Sequence, residues 1–150
     1  MRGCQLLTAL FVFSAALVAA DSPFAGTWKL NTAKSKSAPG TAIKEMTVTF
    51  EPVRDQWKRV ATGTDSDGKA LNQNSTIAWD GKDHAIDEPG TTVAVTQVND
   101  RTLNVTVKHE GAVVDSVHVV ISKNGKTMTV SEKGQDPKGR KLDNVEVFEK

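Results

Sequence analysis

Tight-turn signals recur at short intervals along this chain and constrain its fold more than any other feature. The runs "SDGK" (66–69), "WDGKD" (79–83), "VNDR" (98–101), "EGAV" (110–113) and "KNGK" (123–126) set Asn, Asp or Gly between segments of alternating polarity. Asp-Gly and Asn-Gly supply the positive-φ positions that two-residue hairpins require. No helical pattern of roughly 10–15 residues separates the segments, so they read as consecutive antiparallel hairpins rather than βαβ units. The spacing predicts nine or ten strands, near 25–30, 43–51, 56–63, 69–79, 83–87, 92–98, 101–109, 112–122, 126–133 and 141–149. The 83–87 segment is the weakest, because Pro89 and Gly90 follow at once. Residues 31–42 form the longest loop, with room for one helical turn at Ser35–Ser37 before Pro39-Gly40 stops it.

Alternation selects an inward face for each strand. Met46, Val48 and Phe50 share one side, as do Leu71, Ile77 and Trp79, and Val93 and Val95. The same holds for Leu103, Val105 and Val107; for Val113, Val117, Val119 and Ile121; and for Met128 and Val130. One apolar face per strand, repeated around a meander, must be buried against itself. The expected fold is therefore all-β, an antiparallel up-and-down barrel of about 8–10 strands, since closure also removes exposed edges. Periodicity leaves a two-sheet sandwich as the alternative.

The beginning of the chain reads as an export signal: Arg2, an apolar run Leu6–Val18, and small residues Val18-Ala19-Ala20 before a cleavage point. The run is shorter than the roughly 20 residues that span a bilayer; a retained anchor is the alternative. The expected division is a signal peptide over residues 1–20 and one barrel domain over 21–150, placed in the periplasm or secreted. Cys4, the one cysteine, leaves with the leader, so the mature domain has neither a disulfide nor a thiol nucleophile. The chain carries 19 basic and 18 acidic residues, and loss of Arg2 makes the two equal. That balance provides no general field for nucleic acid or anionic lipid.

Trp28 alternates with Gly26 and Leu30 and is expected to plug one end of the barrel, with ligand stacking as the other reading. Gly26-Thr27-Trp28 resembles the Gly-x-Trp opening of the lipocalin and fatty-acid-binding (calycin) superfamily. Phe24 shortly before "GTWKL" and the "EVFEK" ending (146–150) are similar to the fatty-acid-binding branch. The chain also looks like a class of small exported bacterial lipocalin-like proteins that carry "GTWKLN", then "AKS", and a hairpin of the "GKTMTV" kind. The resemblance implies a ligand-holding barrel, with two departures. The fatty-acid-binding branch has a helix-turn-helix lid between its first two strands, where this chain has a short loop. That branch also clamps a carboxylate with an arginine and a tyrosine in the last strand; Glu146 and Phe148 stand at those positions, so that clamp is not expected here.

Polar residues on inward faces are the candidate ligand contacts: Gln73, Ser75, Gln97, Asp115 and Glu146, beside Trp28 and Phe148. In a cavity they would orient a ligand against an apolar wall. Without partners each neutral group would cost roughly 2–7 kcal/mol to bury, so a register slip that turns them to water is the competing reading. Arg59 alternates with Trp57 and Ala61; it points inward, toward Glu146 or an anionic ligand, if Trp57 does, and is a surface charge otherwise. His84, His109 and His118 form no zinc pattern, and Asp65–Ala70 lacks the later ligands of a calcium loop. No serine sits in a Gly-x-Ser-x-Gly elbow. No catalytic residue, cofactor or metal is expected. The function expected is non-catalytic binding of a small apolar or amphipathic ligand; the alternative is a packed barrel whose surface binds an envelope protein, as an inhibitor or accessory.

Overall fold

The structure is a computed structural model that describes residues 22–150; the expected signal peptide lies outside the described residues. Ten strands form one antiparallel sheet: β1 (Gly26–Leu30), β2 (Glu45–Val53), β3 (Gln56–Thr64), β4 (Ala70–Ile77), β5 (His84–Ala85), β6 (Thr91–Asn99), β7 (Thr102–His109), β8 (Ala112–Ile121), β9 (Thr127–Gln135) and β10 (Lys141–Glu149). Their order is β4-β3-β2-β1-β10-β9-β8-β7-β6-β5, so consecutive strands are neighbours except β4 and β5, and β1 joins β10. The sheet curls into a nearly closed barrel with β4 and β5 at its ends. The segment between these two strands spans part of the gap, where Asp80 bridges Thr96 and the Gly81 N–H donates to the Val95 carbonyl at 2.9 Å.

The barrel is built as the alternation requires. Phe24, Trp28, Leu30, Met46, Val48, Ala61, Ile77, Val95, Leu103, Val119, Ile121, Met128 and Phe148 make one buried core. Trp28 and Phe24 are wholly buried, and the Trp28 indole N–H donates to the Phe24 carbonyl at 2.9 Å. That bond satisfies the one polar atom of the indole and fixes the chain that leads into β1. Trp79 stacks on Trp57 with ring centroids 4.4 Å apart and meets Phe24 edge-on at 5.4 Å, extending the aromatic packing beyond the ladder.

Two expectations of local structure need correction. The helical turn is a 3-10 turn at Thr32–Lys34 rather than at Ser35–Ser37, because Asn31 caps it and accepts from the Lys34 N–H. Lys36 instead pairs with Val145 as a bridge, which requires extended backbone there. Val113 is exposed, not inward, because the β7–β8 register shifts between Val107 and Lys108: Asp115 opposes Val107 while Val113 opposes Lys108. The extra residue, Val114, is a bulge that takes Val113 out of phase with Asp115, Val117, Val119 and Ile121 and turns it outward.

The bulge depends on Gly134, which faces Asp115 across the β8–β9 ladder. A β-carbon at Gly134 would fall 2.2 Å from the Val114 carbonyl oxygen and 2.6 Å from the Asp115 α-carbon. Both are backbone atoms that cannot move without breaking the ladder. Gly134→Ala is expected to destabilise the protein by about 1–3 kcal/mol, the usual range for forced overpacking, as read from its urea midpoint.

Candidate functional site

On β8, β9 and β10 the inward residues change from apolar to polar along the barrel. Ile121, Met128 and Phe148 lie at one level, paired through Ile121↔Met128 and Met128↔Phe148. Farther along come Glu146 opposite Val130, Asn144 opposite Glu132, and Asp115 opposite Gly134. The apolar level closes the barrel with Trp28 and Phe24, while the polar level gathers three carboxyls. Asp115 and Glu146 are buried, 9% and 7% exposed, and Glu132 is half-buried.

Asn144 connects this cluster to the loop above it. Its Oδ1 accepts from the Ala38 N–H at 2.8 Å and from the Thr41 hydroxyl at 3.0 Å, and its Nδ2 donates to Glu132 Oε2 at 3.3 Å. Ser35 adds a second tether, donating to the Asn31 carbonyl and accepting from the Val147 N–H at 2.9 Å. The 31–44 loop is thus held over the polar end by backbone and side-chain bonds rather than by a helical lid.

The electrostatics of the cluster follow from enclosure. Burial raises the Glu132 pKa to about 8, helped by its hydrogen bond with Asp115 and by the charges of Asp115 and Glu146. Burial also raises Asp115 and Glu146; the Glu132 bond and the Ser116 backbone N–H offset part of the first, and Arg59 part of the second. Two carboxyls can bond each other only if one holds a proton, so the Asp115–Glu132 pair retains one. Asp115 Oδ1 is buried and has no hydrogen-bond partner among the described residues. Arg59 enters from β3, opposite Phe50 and Ser75; burial lowers its pKa and the charge of Glu146 opposes that shift.

Of the sequence-derived candidates, Asp115, Glu146 and Arg59 come together in the interior. Trp28 and Phe148 are buried in the apolar core that closes the barrel. Ser75 is half-buried opposite Arg59, and Gln73 is exposed on the edge strand β4, where it accepts from Arg59 at 3.0 Å. Gln97 is exposed, next to a register shift that ends the regular β6–β7 pairing. Glu132 and Asn144 were absent from the candidates, although the alternation Met128–Val130–Glu132 and Phe148–Glu146–Asn144 points to both. Among the described residues no three His, Cys, Asp or Glu side chains are grouped to hold a metal ion. His118 is exposed and bonds Asn104, and His109 bonds Thr91.

No family model matches the chain, and no curated protein matches it significantly. Among solved structures it is similar to zebrafish ileal bile acid-binding protein complexed with cholic acid, at 10% identity and a TM-score of 0.52, over 86% of this chain and 99% of that one. A redesigned β-barrel, mFAP1, bound to DFHBI, aligns at 16% identity and a TM-score of 0.47 over 85% and 95% of the two chains. The fold is an all-β, antiparallel, nearly closed barrel of lipocalin-like topology.

Raised carboxyl pKa values set the direction of pH-dependent stability. Between the ordinary glutamate value of 4.5 and about 8, the folded chain holds the Glu132 proton and the unfolded chain does not. Unfolding then releases a proton, so this contribution is full below pH 4.5 and is lost as pH rises toward 8. Asp115 and Glu146 act in the same sense. Exposed Asp67, held low by Lys138 and Arg140, acts oppositely, but only below its ordinary value of 3.8. Denaturant unfolding is expected to show stability falling from pH 5 to 8, by at most about 1.4 kcal/mol per pH unit for one proton. Glu132→Gln is expected to flatten that slope.

Proposed function

We propose that the barrel binds a small amphipathic molecule, with the ligand's polar end in the Asp115–Glu132–Glu146 region. The observation that supports this reading is the grouping on inward faces of buried Asp115 and Glu146 with half-buried Glu132 and Arg59. A core selected only for stability has no use for them, since each is costly to bury and an apolar replacement would pack as well. The zebrafish structure holds cholic acid in a barrel of this topology. Here the carboxyls disfavour an anionic head, so the cargo differs in charge. The apolar leader at residues 1–20 supports export, to the periplasm or beyond, and no cofactor or catalytic step enters this reading.

The second reading, a packed barrel that binds a protein partner through its surface, is favoured by the closed end: Trp28, Phe24, Phe148, Ile121 and Met128 are almost wholly buried. The two separate cleanly. Protein isolated from its own source without denaturation is extracted for small molecules before and after unfolding, and both extracts are analysed by mass spectrometry. A stoichiometric amphipathic molecule freed only on unfolding is expected. Protein that stays folded, empty and refractory to added amphiphiles would overturn the binding reading in favour of the second.

A further inference from the structure

A small cavity of about 120 Å³ lies beneath the loop that follows β1. Leu30, Ala42 and Ile43 give it apolar walls, Thr32 and Ser37 border it, and Glu146 reaches it from β10. Glu146 is 7% exposed, yet it accepts no hydrogen bond and forms no ion pair among the described residues. Arg59 is the cation whose field reaches it, but the Arg59 guanidinium donates to Gln73 instead. Asp115, with its own unpartnered buried Oδ1, adds negative charge from β8.

A buried carboxylate without a donor, facing a cavity with apolar walls, is half of a charge-assisted hydrogen bond. We propose that this cavity takes the ammonium end of a small aliphatic amine, with Glu146 as its counter-ion. The inference rests on the reading of the barrel as a binding protein and names the charge of its ligand. The alkyl chain lies against Leu30, Ala42 and Ile43, and the hydroxyls of Thr32 and Ser37 border the head. An anionic head would add a like charge to an interior where carboxyls already outnumber Arg59. A hydroxyl could donate one bond to Glu146 but would leave the buried charge uncompensated.

Binding is linked to protonation. Glu146 on β10 is the charged group that lines the cavity; the charges around it are Asp115 on β8, Glu132 on β9 and Arg59 on β3, with the Asn144 amide on β10 bonded to Glu132. An arriving cation favours the ionised carboxyls, so protons leave as it binds. An alkylammonium keeps its own charge throughout neutral pH. Affinity for the amine is therefore expected to rise between pH 6 and 8.

The test is calorimetry of the full chain with n-butylammonium, 1-butanol and butanoate, which share one alkyl body. Butylammonium is expected to bind about tenfold or more tightly than butanol, as one charge-assisted bond implies, and butanoate not at all. In Glu146→Gln the preference for the ammonium over the alcohol is expected to vanish. Equal or tighter binding of butanol or butanoate, or a folded Glu146→Gln that keeps the preference, would overturn the proposal. If that variant does not fold, the wild-type preference decides: a rise from pH 6 to 8 supports the proposal and a flat profile overturns it. If none of the three binds while a larger amphiphile is released on unfolding, the amine proposal fails and the binding barrel stands. If nothing binds or is released, both fail.

Discussion

Three carboxyl groups and one guanidinium share the inside of a barrel about one side-chain layer from a packed aromatic core, and the rest of the arrangement accommodates that imbalance. Ionising all of them would place net negative charge where water screens it poorly. The protein responds by retaining protons: Glu132 stays neutral to about pH 8 and bonds Asp115, while Glu146 is raised but partly offset by Arg59. Polar tethers complete the response. Asn144 donates to Glu132 and accepts from Ala38 and Thr41, so one amide connects the carboxyls to the loop that covers them.

Backbone geometry makes that cluster possible. Alternation with Val117, Val119 and Ile121 places Asp115 inward, the bulge at Val114 turns Val113 out, and Gly134 provides the space the bulge occupies. The opposite level of the barrel supplies rigidity, since Trp28 is hydrogen-bonded to Phe24 and surrounded by Phe148, Met128 and Ile121. A well-packed closed end gives the polar end fixed walls, which a preorganised binding site requires. The short loop from Asn31 to Lys44 replaces a helical lid and is fastened at Ser35, Lys36, Ala38 and Thr41.

Much of this was legible in the amino-acid sequence, for identifiable reasons. Turn dipeptides such as Asp67-Gly68 and Asn124-Gly125 marked the hairpins, and period-two alternation found the core, because both signals are local. Trp28 and Phe148 followed from the same rule. Val113 did not, because a bulge is a relation between two strands: nothing in β8 alone announces that Val107 and Lys108 oppose Asp115 and Val113. Gln97 keeps its phase opposite Leu103 but lies near the end of β6, where it is exposed. Glu132 was within reach of the alternation, but a charged residue on a strand is ordinarily read as outward, and only its neighbours across the ladder show otherwise. The orientation of Arg59 hung on Trp57, whose stacking on Trp79 is a contact between distant segments.

The measurement that tests this account most directly is the titration of the Glu132 side chain, followed by the carbon-13 shift of its carboxyl carbon in labelled protein. A midpoint near 8 is expected, with a coupled response at Asp115, because burial and a shared proton hold the group neutral. A midpoint at the ordinary value of 4.5 would contradict the account, since Glu132 would then be a solvated surface carboxylate and the enclosed acidic cluster would not exist.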